Sequence, residues 1–552
     1  MLFPAVVKQP EDYECLFPPR AVGDGAVVAR LAPSPTGFIH LGNLYSAFVN
    51  ERLAHQSGGV LYLRVEDTDD KRLVEGAVEA ITSALRFFQI QFDEGAFPEG
   101  ETGGYGPYHQ SVRKDIYHCF VKRLVLDGRA YPCFLTEPEI GAIRKEQEQA
   151  KETPGIYGKW AVFRRLPVAE AERRIREGQP YVVRLRSAGT PSAEAGSPGT
   201  EAGSRKQVAV EDGIRGMLTL PENEQDIVLL KANGMPTYHL AHVVDDHLMR
   251  TTHVVRGEEW LSSLPIHVEL FDALGLTPPL YCHTAQLLKL DGAGNKRKLS
   301  KREDPELSLE YYRSAGYHPA ALREYLLTLL NSDFEEWRIA NQDADADAFP
   351  FSMGKMSASG ALFDINKLND ISKDVLLRIP ATALGSFLIA WAKDFRPEVA
   401  SLLAENEAYL EKILDLGRGG AKPRKDLICA AQIFDFIRYF FDAHFAIEDE
   451  NPANVSDADA KAILERYLET YDGGDDAALW FEKVRDITAA LGYAVKPKDY
   501  KKNPALYPGH VGDVSTVIRI ALTGRAQSPD LWEIQQILGE KKTRGRIEQR
   551  LV

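Results

Sequence analysis

The sequence around His40 has the composition of an anion-binding loop. A β-rich apolar run over residues 26–31 stops at PSPTG (33–37), and a helical pattern opens at HLGN (40–43). Prolines and a glycine end a strand abruptly, so the N–H groups of the first helical turn face the space beyond the sheet edge, where anions bind. A core histidine is the alternative for His40. We favour a functional role, because Gly42 lets a ligand approach the backbone closely.

Two further groups of polar residues lie near predicted strand ends. Glu66 follows the strand-like run 60–65, at the sheet edge where ligands bind in open α/β folds, although a solvated acidic turn is the alternative. The second group surrounds a buried strand that leads to Gly257, and any one member could be structural. Its members are Tyr238, His242, Asp245, Arg256, Glu258 and Glu259. Arg256 has the strongest chemical argument, because a guanidinium holds a carboxylate in two-pronged geometry; Arg30 is the other available cation.

A parallel sheet is needed to bring these residues together. Apolar residues recur at helical spacing from Leu41 to Val49, between the two predicted strands, which gives the strand, loop, helix, strand unit of a parallel α/β sheet. A helical pattern covers 73–88, and 207–230 alternates like paired strands. Past Pro305 the pattern becomes helical and remains so.

The last predicted helix carries its own start and stop signals. Ser528 is expected as its cap, Pro529 as its first residue and Gly539 as its end. A basic tail, KKTRGRIEQR, closes the chain. We interpret it as a solvated helix end, with phosphate contacts as the alternative.

Bulk composition indicates an ordinary cytoplasmic protein of several domains. The 552 residues suggest three or four domains of about 150 residues. A net charge of −14 argues against nucleic-acid binding by the whole surface, but it is compatible with a local basic groove. Five cysteines are spread singly, as expected for reduced thiols in the cytoplasm. The N-terminus lacks a secretory signal, and no window reaches the roughly 18 apolar residues of a membrane span.

The string RLAPSPTG followed by HLGN resembles the HIGH motif region of class I aminoacyl-tRNA synthetases, in particular their glutamyl and glutaminyl branch. The likeness extends to YHLAHVVDDH (238–247) and THVVRGEEW (252–260), and it covers nearly the whole chain apart from the N-terminal extension and residues 187–206. No run of regularly spaced alternating strands follows residue 330. That absence resembles bacterial-type glutamyl enzymes, which are all-helical there, rather than relatives with β-barrel anticodon domains.

The resemblance implies an α/β Rossmann-type catalytic domain with an α+β connective insertion, followed by all-α C-terminal tRNA-binding domains. The layout implied is an N-terminal extension (1–21), a catalytic domain (22–330) containing the insertion (about 112–222) and a flexible loop (187–206), a stem-contact region (331–385) and a helical anticodon-binding domain (386–552). The extension could clamp onto the body of the protein or have no role.

The family's lysine loop has two candidates in this chain. KLSKR (298–302) follows the Gly-rich turn 291–294, and KMSAS (355–359) is superficially closer to the family's KMSKS. The loop must place a cation on the developing charge of the α-phosphate and pyrophosphate. KLSKR keeps the second lysine, Lys301, whereas KMSAS has Ala358 in its place. We therefore assign catalysis to 298–302 and interpret 355–359 as a turn beyond the catalytic domain.

The resemblance also implies roles for individual residues. The catalytic set is His40, Gly42, Lys298, Ser300 and Lys301. The ATP-binding set is Pro33, Thr36, His40, Gly42, Asn43, Glu259, Trp260, Leu299 and Lys301. The glutamate-binding set is Arg30, Ser34, Glu66, Tyr238, His242 and Arg256, although related chains often carry Asn in place of His242.

The implied reaction is the ATP-dependent activation of L-glutamate and its transfer to the 3' end of tRNA-Glu, by a monomer with Mg²⁺ accompanying ATP. Some bacterial-type members also charge tRNA-Gln, which is therefore a second candidate acceptor. Some members carry zinc on a site that begins with a CxC pair. This chain has Cys133-Phe134-Leu135 there, and zinc needs about four ligands, so no zinc is expected. Two alternatives are a paralogue that attaches glutamate to a tRNA base, which would resemble only the catalytic half, and a non-catalytic tRNA-binding paralogue.

Overall fold

The computed structural model describes residues 2–3, 5–35, 39–69, 73–189, 206–419 and 423–552. The expectations for Thr36 and for most of the 187–206 loop lie outside these residues. The chain divides into two compact units, Met1–Glu310 with Arg323–Asp364, and Tyr311–Leu322 with Ile365–Val552. No described helix is both long enough and apolar enough to cross a membrane.

The strands lie between residues 28 and 362. They are β1 (Val28–Leu31), β2 (Val60–Leu63), β3 (Glu94–Phe97), β4 (Gly100–Thr102), β5 (Ala130–Cys133), β6 (Val182–Leu185), β7 (Gln207–Asp212), β8 (Gly216–Pro221), β9 (Val228–Leu230), β10 (His253–Gly257), β11 (Leu280–Thr284), β12 (Leu287–Leu290), β13 (Lys296–Lys298) and β14 (Ala361–Leu362).

The α-helices run through the whole chain. They are α1 (Pro10–Leu16), α2 (Leu41–Gln56), α3 (Ala77–Phe87), α4 (Lys114–Leu126), α5 (Glu137–Gln149), α6 (Val168–Arg176), α7 (Tyr238–Leu248), α8 (Leu264–Ala273), α9 (Leu309–Ala315), α10 (Pro319–Leu330), α11 (Phe334–Ala340), α12 (Ile365–Arg378), α13 (Ala381–Phe395), α14 (Pro397–Glu405), α15 (Glu407–Asp415), α16 (Ala430–Ile437), α17 (Asp457–Thr470), α18 (Ala477–Ala490), α19 (Pro497–Lys502), α20 (Val511–Thr523) and α21 (Leu531–Leu551).

Two four-stranded sheets form the centre of the first unit. Strands β1, β2 and β3 are parallel and β4 is antiparallel at the edge, and in the second sheet β10, β11 and β7 are parallel with β8 antiparallel. The Thr252 N–H donates to the Val28 carbonyl (2.9 Å) and Arg30 Nη1 to the Val255 carbonyl (3.4 Å), so β10 runs beside β1 in the same direction. The α/β class predicted from the sequence is confirmed.

The opening unit has the predicted order, with shorter strands. β1 and β2 are each four residues long, and both begin and end inside the ranges 26–31 and 60–65. Helix α2 begins directly after His40 and buries Leu41, Leu44, Tyr45, Phe48 and Val49. The predicted pairing within 207–230 occurs as the antiparallel hairpin β7–β8. Strand β9 instead joins β5 and β6 in a separate antiparallel sheet.

The N-terminal extension folds onto the first unit. Helix α1 places Glu14 against His247 and against Arg250 Nη2 (2.6 Å), and Arg250 Nε also donates to the Phe17 carbonyl (2.9 Å). Further along, Arg20 pairs with both oxygens of Glu94 (2.8 and 3.0 Å). Of the two interpretations left open by the sequence, a clamp on the body of the protein is the one observed.

The second unit is helical around one apolar core, and its last helix differs from the prediction. Glu533 N–H donates to Asp530 Oδ1 (3.0 Å), so Asp530 and not Ser528 caps α21, and Pro529 precedes the helix. Gly539 interrupts the helix with φ +76°, as its stop signal indicates, but the chain resumes the helix to Leu551. The helix resumes because Ile547 and the stem of Arg546 are buried.

The basic tail is therefore only partly a solvated helix end, because Lys541 and Arg550 are exposed whereas Arg546 is buried. Arg546 is 5% exposed, and its guanidinium donates to the Leu522 carbonyl (2.6 Å) and to Asp442 Oδ1 (2.9 Å). A long side chain with an apolar stem and a charged end can be buried when its N–H groups are satisfied in this way.

Candidate active site

A cavity of about 520 Å³ lies at the carboxyl ends of β1 and β10. It is the position expected for a ligand in an open α/β sheet. The cavity wall brings together residues that are far apart in the sequence: Arg30, Pro33, Ser34, His40, Gly42, Asn43, Glu66, Tyr238, Arg256, Glu259, Trp260, Lys298, Leu299 and Lys301. Of the candidate residues that the structure describes, His242, Asp245, Glu258 and Ser300 do not line it.

His40 is the N-cap of α2. Its Nδ1 accepts a hydrogen bond from the Asn43 N–H (3.2 Å), and its own N–H donates to Asn43 Oδ1 (3.0 Å). Burial, followed by the positive charges of Lys301 and Lys298, lowers the pKa of His40, so the ring is neutral near pH 7. With Nδ1 acting as an acceptor, the proton is on Nε2, which is therefore a donor. A donor at the positive end of a helix suits an anionic ligand.

The lysine loop reaches the same cavity by way of an antiparallel hairpin. Strands β12 and β13 pair Leu288 with Lys298, and Lys298 and Lys301 line the cavity. After the loop the backbone returns to α2, where Ser308 forms a bridge with His40. The two candidate phosphate-binding segments thus line one cavity, although His40 and Lys298 are 258 residues apart in the sequence.

Asp304 anchors the loop to the hairpin. It is 2% exposed and accepts two hydrogen bonds from Arg297 (2.5 and 2.8 Å) and one from the Ser300 N–H (2.8 Å). Lys289 Nζ lies 3.3 Å away. The hydrogen bonds from Arg297 hold the pKa of Asp304 well below its ordinary value, so it is a carboxylate at neutral pH. Ser300 thus contributes its backbone to the shape of the loop.

Arg256 lines the cavity from β10. Its Nε donates to His283 Nε2 (2.9 Å), and its Nη1 lies 3.1 Å from His267 Nδ1 and 3.4 Å from the Tyr238 hydroxyl. Its buried Nη2 has no hydrogen-bond partner among the described residues. A buried N–H group without a partner is uncommon in folded proteins, and Arg256 is one of the residues that line the cavity.

The other arginine on the cavity wall, Arg30, is already paired. Asp246 lies between Arg30 Nε (3.4 Å) and Arg64 Nη1 (2.5 Å), and Arg64 also donates to Glu66 Oε1 (3.2 Å). Although burial opposes ionisation of Asp246, the positive charges of Arg64 and Arg30 lower its pKa well below the ordinary value. Burial raises the pKa of Glu66 despite the opposing effect of Arg64. These pairs explain how two arginines, Arg30 on the cavity wall and Arg64 behind it, are tolerated in a buried position.

His242 supports the wall without forming part of it. It is fully buried, its ring is stacked on Tyr238 with the centroids 5.5 Å apart, and its Nε2 is 2.9 Å from the Tyr281 hydroxyl. Its Nδ1 lies 2.7 Å from Asp246 Oδ2. Burial lowers the pKa of His242 to about 3. It therefore fixes the ring of Tyr238, which in turn contacts Trp260 with 4.4 Å between centroids.

Several residues of this site were not predicted from the sequence. Thr284, the last residue of β11, lines the cavity together with Ala285 and Gln286, which follow it. Asp212, at the end of β7, accepts from His283 and so supports Arg256 from behind. The one available hint was the position of these residues after a buried strand, and nothing local marks Asp212 as their partner.

Comparison with known proteins decides the family. Residues 26–370 match the model of the catalytic domain of class I tRNA synthetases (E and Q), which is more than half of the chain. This chain belongs to that family. Residues 388–551 of this synthetase-family chain match the model of an anticodon-binding domain.

Similar proteins match this chain over 95% or more of its length. A glutamate–tRNA ligase of Acetivibrio thermocellus is 60% identical over 100% of this chain and 98% of its own. One from Thermus thermophilus is 35% identical over 95% and 100%. The crystal structure of a glutamate–tRNA ligase from Elizabethkingia meningosepticum in complex with its amino acid aligns with a TM-score of 0.72, at 28% identity over 95% of this chain and 99% of that one.

Two predicted features lie away from the cavity: the turn at residues 355–359 and the position at Cys133 where some family members bind zinc. The segment 355–359 is a turn, in which Lys355 pairs with Asp333 (3.1 Å). It lies inside the first unit rather than beyond it, because β14 pairs with β12. Cys133 is buried at the end of β5, and the described residues contain no group of three or more His, Cys, Asp or Glu that could hold a metal.

Proposed function

We propose that this chain is a glutamate–tRNA ligase of the bacterial type. It activates L-glutamate with ATP, giving glutamyl-adenylate and pyrophosphate, and then transfers the glutamyl group to the 3' end of tRNA-Glu. One observation carries the proposal: a single cavity is lined by an anion-binding helix start, by a lysine loop and by a buried arginine whose guanidinium has an unpaired N–H. The names of the full-length relatives agree with it.

The residues proposed to bind the phosphates of ATP would act by positioning them and by stabilising their negative charge. The His40 Nε2–H and the first N–H groups of α2 would contact the phosphates from one side, and Lys298 and Lys301 from the other. The attack of the substrate carboxylate on the α-phosphate needs no nucleophile from the protein, so the rate gain comes from alignment and from stabilising the developing charge. Mg²⁺ would arrive with ATP and neutralise phosphate oxygens.

Trp260 and Glu259 on the cavity wall account for the adenosine. Trp260 and Glu259 follow β10 and face the cavity beside Leu299. We assign them, with Pro33 and Asn43, to the nucleoside part of ATP. Gly42 has a steric role as well, because a Cβ at this position would lie 3.0 Å from the His40 ring. A side chain there would displace the imidazole from the phosphates.

Charged residues of the cavity would recognise the charged groups of the amino-acid substrate. The unpaired Arg256 Nη2 would bind the side-chain carboxylate of glutamate, and Glu66 would bind its ammonium group. Ser34, Tyr238 and Arg30 complete the pocket. Glutamine would leave one Arg256 N–H facing an amide N–H₂ group, and an unpaired buried donor of this kind costs about 1–3 kcal/mol. The pocket therefore selects the acid over the amide.

Neither alternative fits the chain as well. A base-modifying paralogue has only the catalytic half, whereas residues 388–551 match an anticodon-binding domain. A non-catalytic paralogue has no need for His40 and Lys301 on one cavity wall.

The test is charging of purified tRNA-Glu and tRNA-Gln with labelled glutamate. Glutamyl-tRNA-Glu is the expected product, and charging of tRNA-Gln would show that the enzyme accepts both tRNAs. Binding of tRNA without charging of either would contradict the proposal.

A further inference from the structure

The guanidinium of Arg256 is held by neutral acceptors. Its Nε and Nη1 contact His283 Nε2 (2.9 Å) and His267 Nδ1 (3.1 Å), both of which are imidazole nitrogens. Arg30 and Arg64 differ from Arg256 in this respect, because both form ion pairs with the carboxylate of Asp246. Imidazole acceptors fix the orientation of Arg256 without neutralising its charge, so the charge remains available to a ligand at Nη2.

This arrangement requires one tautomer of His283. A nitrogen that accepts from Arg256 Nε cannot carry a proton, so the proton of the neutral ring is on Nδ1. His283 Nδ1 lies 2.6 Å from Asp212 Oδ2, and both residues are at most 2% exposed. The other oxygen of Asp212, Oδ1, accepts from the Ile214 and Arg215 N–H groups (3.0 Å each).

Electrostatics agree with this assignment. Burial lowers the pKa of His283, and its contact with Asp212 does not reverse the shift, so the ring is neutral. Burial opposes ionisation of Asp212, but the hydrogen bonds from His283 and from the two backbone N–H groups lower its pKa below the ordinary value. A carboxylate that accepts from Nδ1–H is the arrangement that holds an imidazole in one tautomer.

We propose that Asp212 is a positioning residue for the amino-acid substrate: through His283 it fixes the Arg256 guanidinium in the orientation that binds the side-chain carboxylate of glutamate. The inference rests on the proposed function and adds a residue that contacts neither substrate nor the cavity. It predicts that a change at Asp212 affects the binding of glutamate and leaves that of ATP unchanged.

The substitution D212N tests the tautomer directly. Asn has one carbonyl oxygen, which the Ile214 and Arg215 N–H groups would retain, so its N–H₂ group would face His283 Nδ1. That nitrogen would then accept, and the proton would move to Nε2, opposite the N–H of Arg256. Two donors facing each other would displace the guanidinium. We expect the KM for glutamate in tRNA charging to rise about tenfold or more, with the KM for ATP unchanged within about twofold.

A second pair of variants leaves Asp212 in place, and it covers the case in which D212N does not fold. In H283Q the Gln carbonyl can accept from Arg256 without any tautomer, whereas H283M offers no comparable acceptor. The KM for glutamate should stay within about threefold of wild type in H283Q and rise about tenfold in H283M. Adding H283Q to D212N should bring the KM back to the H283Q value, a coupling that a general loss of stability would not produce.

The matched control is D226N. Asp226 is as buried as Asp212 and accepts from the Ser187 N–H (2.9 Å) and the Tyr131 hydroxyl (2.8 Å), away from the cavity. D226N should lose stability and keep the wild-type KM for glutamate. Unchanged KM values for glutamate in D212N and H283M would overturn the inference and leave the proposed function intact. A wild-type protein that binds tRNA but charges none would contradict both the inference and the proposed function.

Discussion

Asp304 is the residue on which the shape of the lysine loop depends most directly. Its two oxygens accept from both ends of the Arg297 guanidinium and from the Ser300 N–H, so one buried carboxylate ties the start of the loop to its end. D304N keeps the shape of the side chain and replaces one acceptor oxygen by an N–H₂ group. We therefore expect D304N to slow the formation of glutamyl-adenylate.

The size of the effect follows from the hydrogen bonds that are lost. A hydrogen bond to a charged group contributes about 1.5–3 kcal/mol to stability. The Arg297 side chain is 31% exposed, and solvent weakens such pairs, so the lower end of that range applies. About 1.5 kcal/mol corresponds to roughly a tenfold fall in the fraction of molecules whose loop is in the working arrangement.

The assay is single-turnover release of pyrophosphate from γ-labelled ATP in a quench-flow instrument, with saturating glutamate and tRNA. The rate should fall about tenfold, with the affinity for tRNA unchanged. E303Q is the matched control, because Glu303 lies 3.6 Å from the same guanidinium but is 67% exposed, and its rate should stay within about twofold of wild type. A wild-type rate in D304N would refute this account of the loop.

Three further changes test other parts of the account. K301A should lower the single-turnover rate of adenylate formation about 100-fold with little change in tRNA affinity, and an unchanged rate would contradict the role of Lys301. Burial lowers the pKa of His239 to about 4 from the ordinary 6.5. The unfolded chain therefore takes up a proton below about pH 6.5 that the folded one does not, and stability falls by about 1.4 kcal/mol per pH unit down to about pH 4. Urea midpoints at pH 7 and pH 5 should show a smaller acid loss in H239Q than in wild type. Gly524 and Gly492 both have φ +77°, but a Cβ would lie 1.9 Å from the Ala446 carbonyl oxygen only at Gly524. G524A should therefore lower the melting temperature more than G492A, and equal losses would show that backbone strain alone decides.

Local sequence information accounts for the parts of the site that were predictable. The prolines after β1, the helical spacing from Leu41 and the retained lysine at 301 are all properties of short segments, and each segment reaches the cavity. Residue types with an obvious charge role, such as Arg256 and Glu66, were identified for the same reason.

The remaining features depend on contacts between distant segments. Asp212 and His283 are 71 residues apart, and only the register of β7 with β11, which places Asp212 beside Tyr281, brings them together. The start of α21 shows the same limit on a smaller scale. Ser528 and Asp530 are both residue types that cap helices. Which of them receives the hydrogen bond from the Glu533 N–H depends on the backbone geometry, which cannot be predicted from residue type alone.

The most direct test of the central claim is a product analysis of one turnover with labelled ATP, glutamate and tRNA-Glu. The account predicts AMP and pyrophosphate, with one glutamyl-tRNA formed per AMP and no AMP formed when glutamine replaces glutamate. ADP and phosphate as products, or AMP without glutamyl-tRNA, would contradict it.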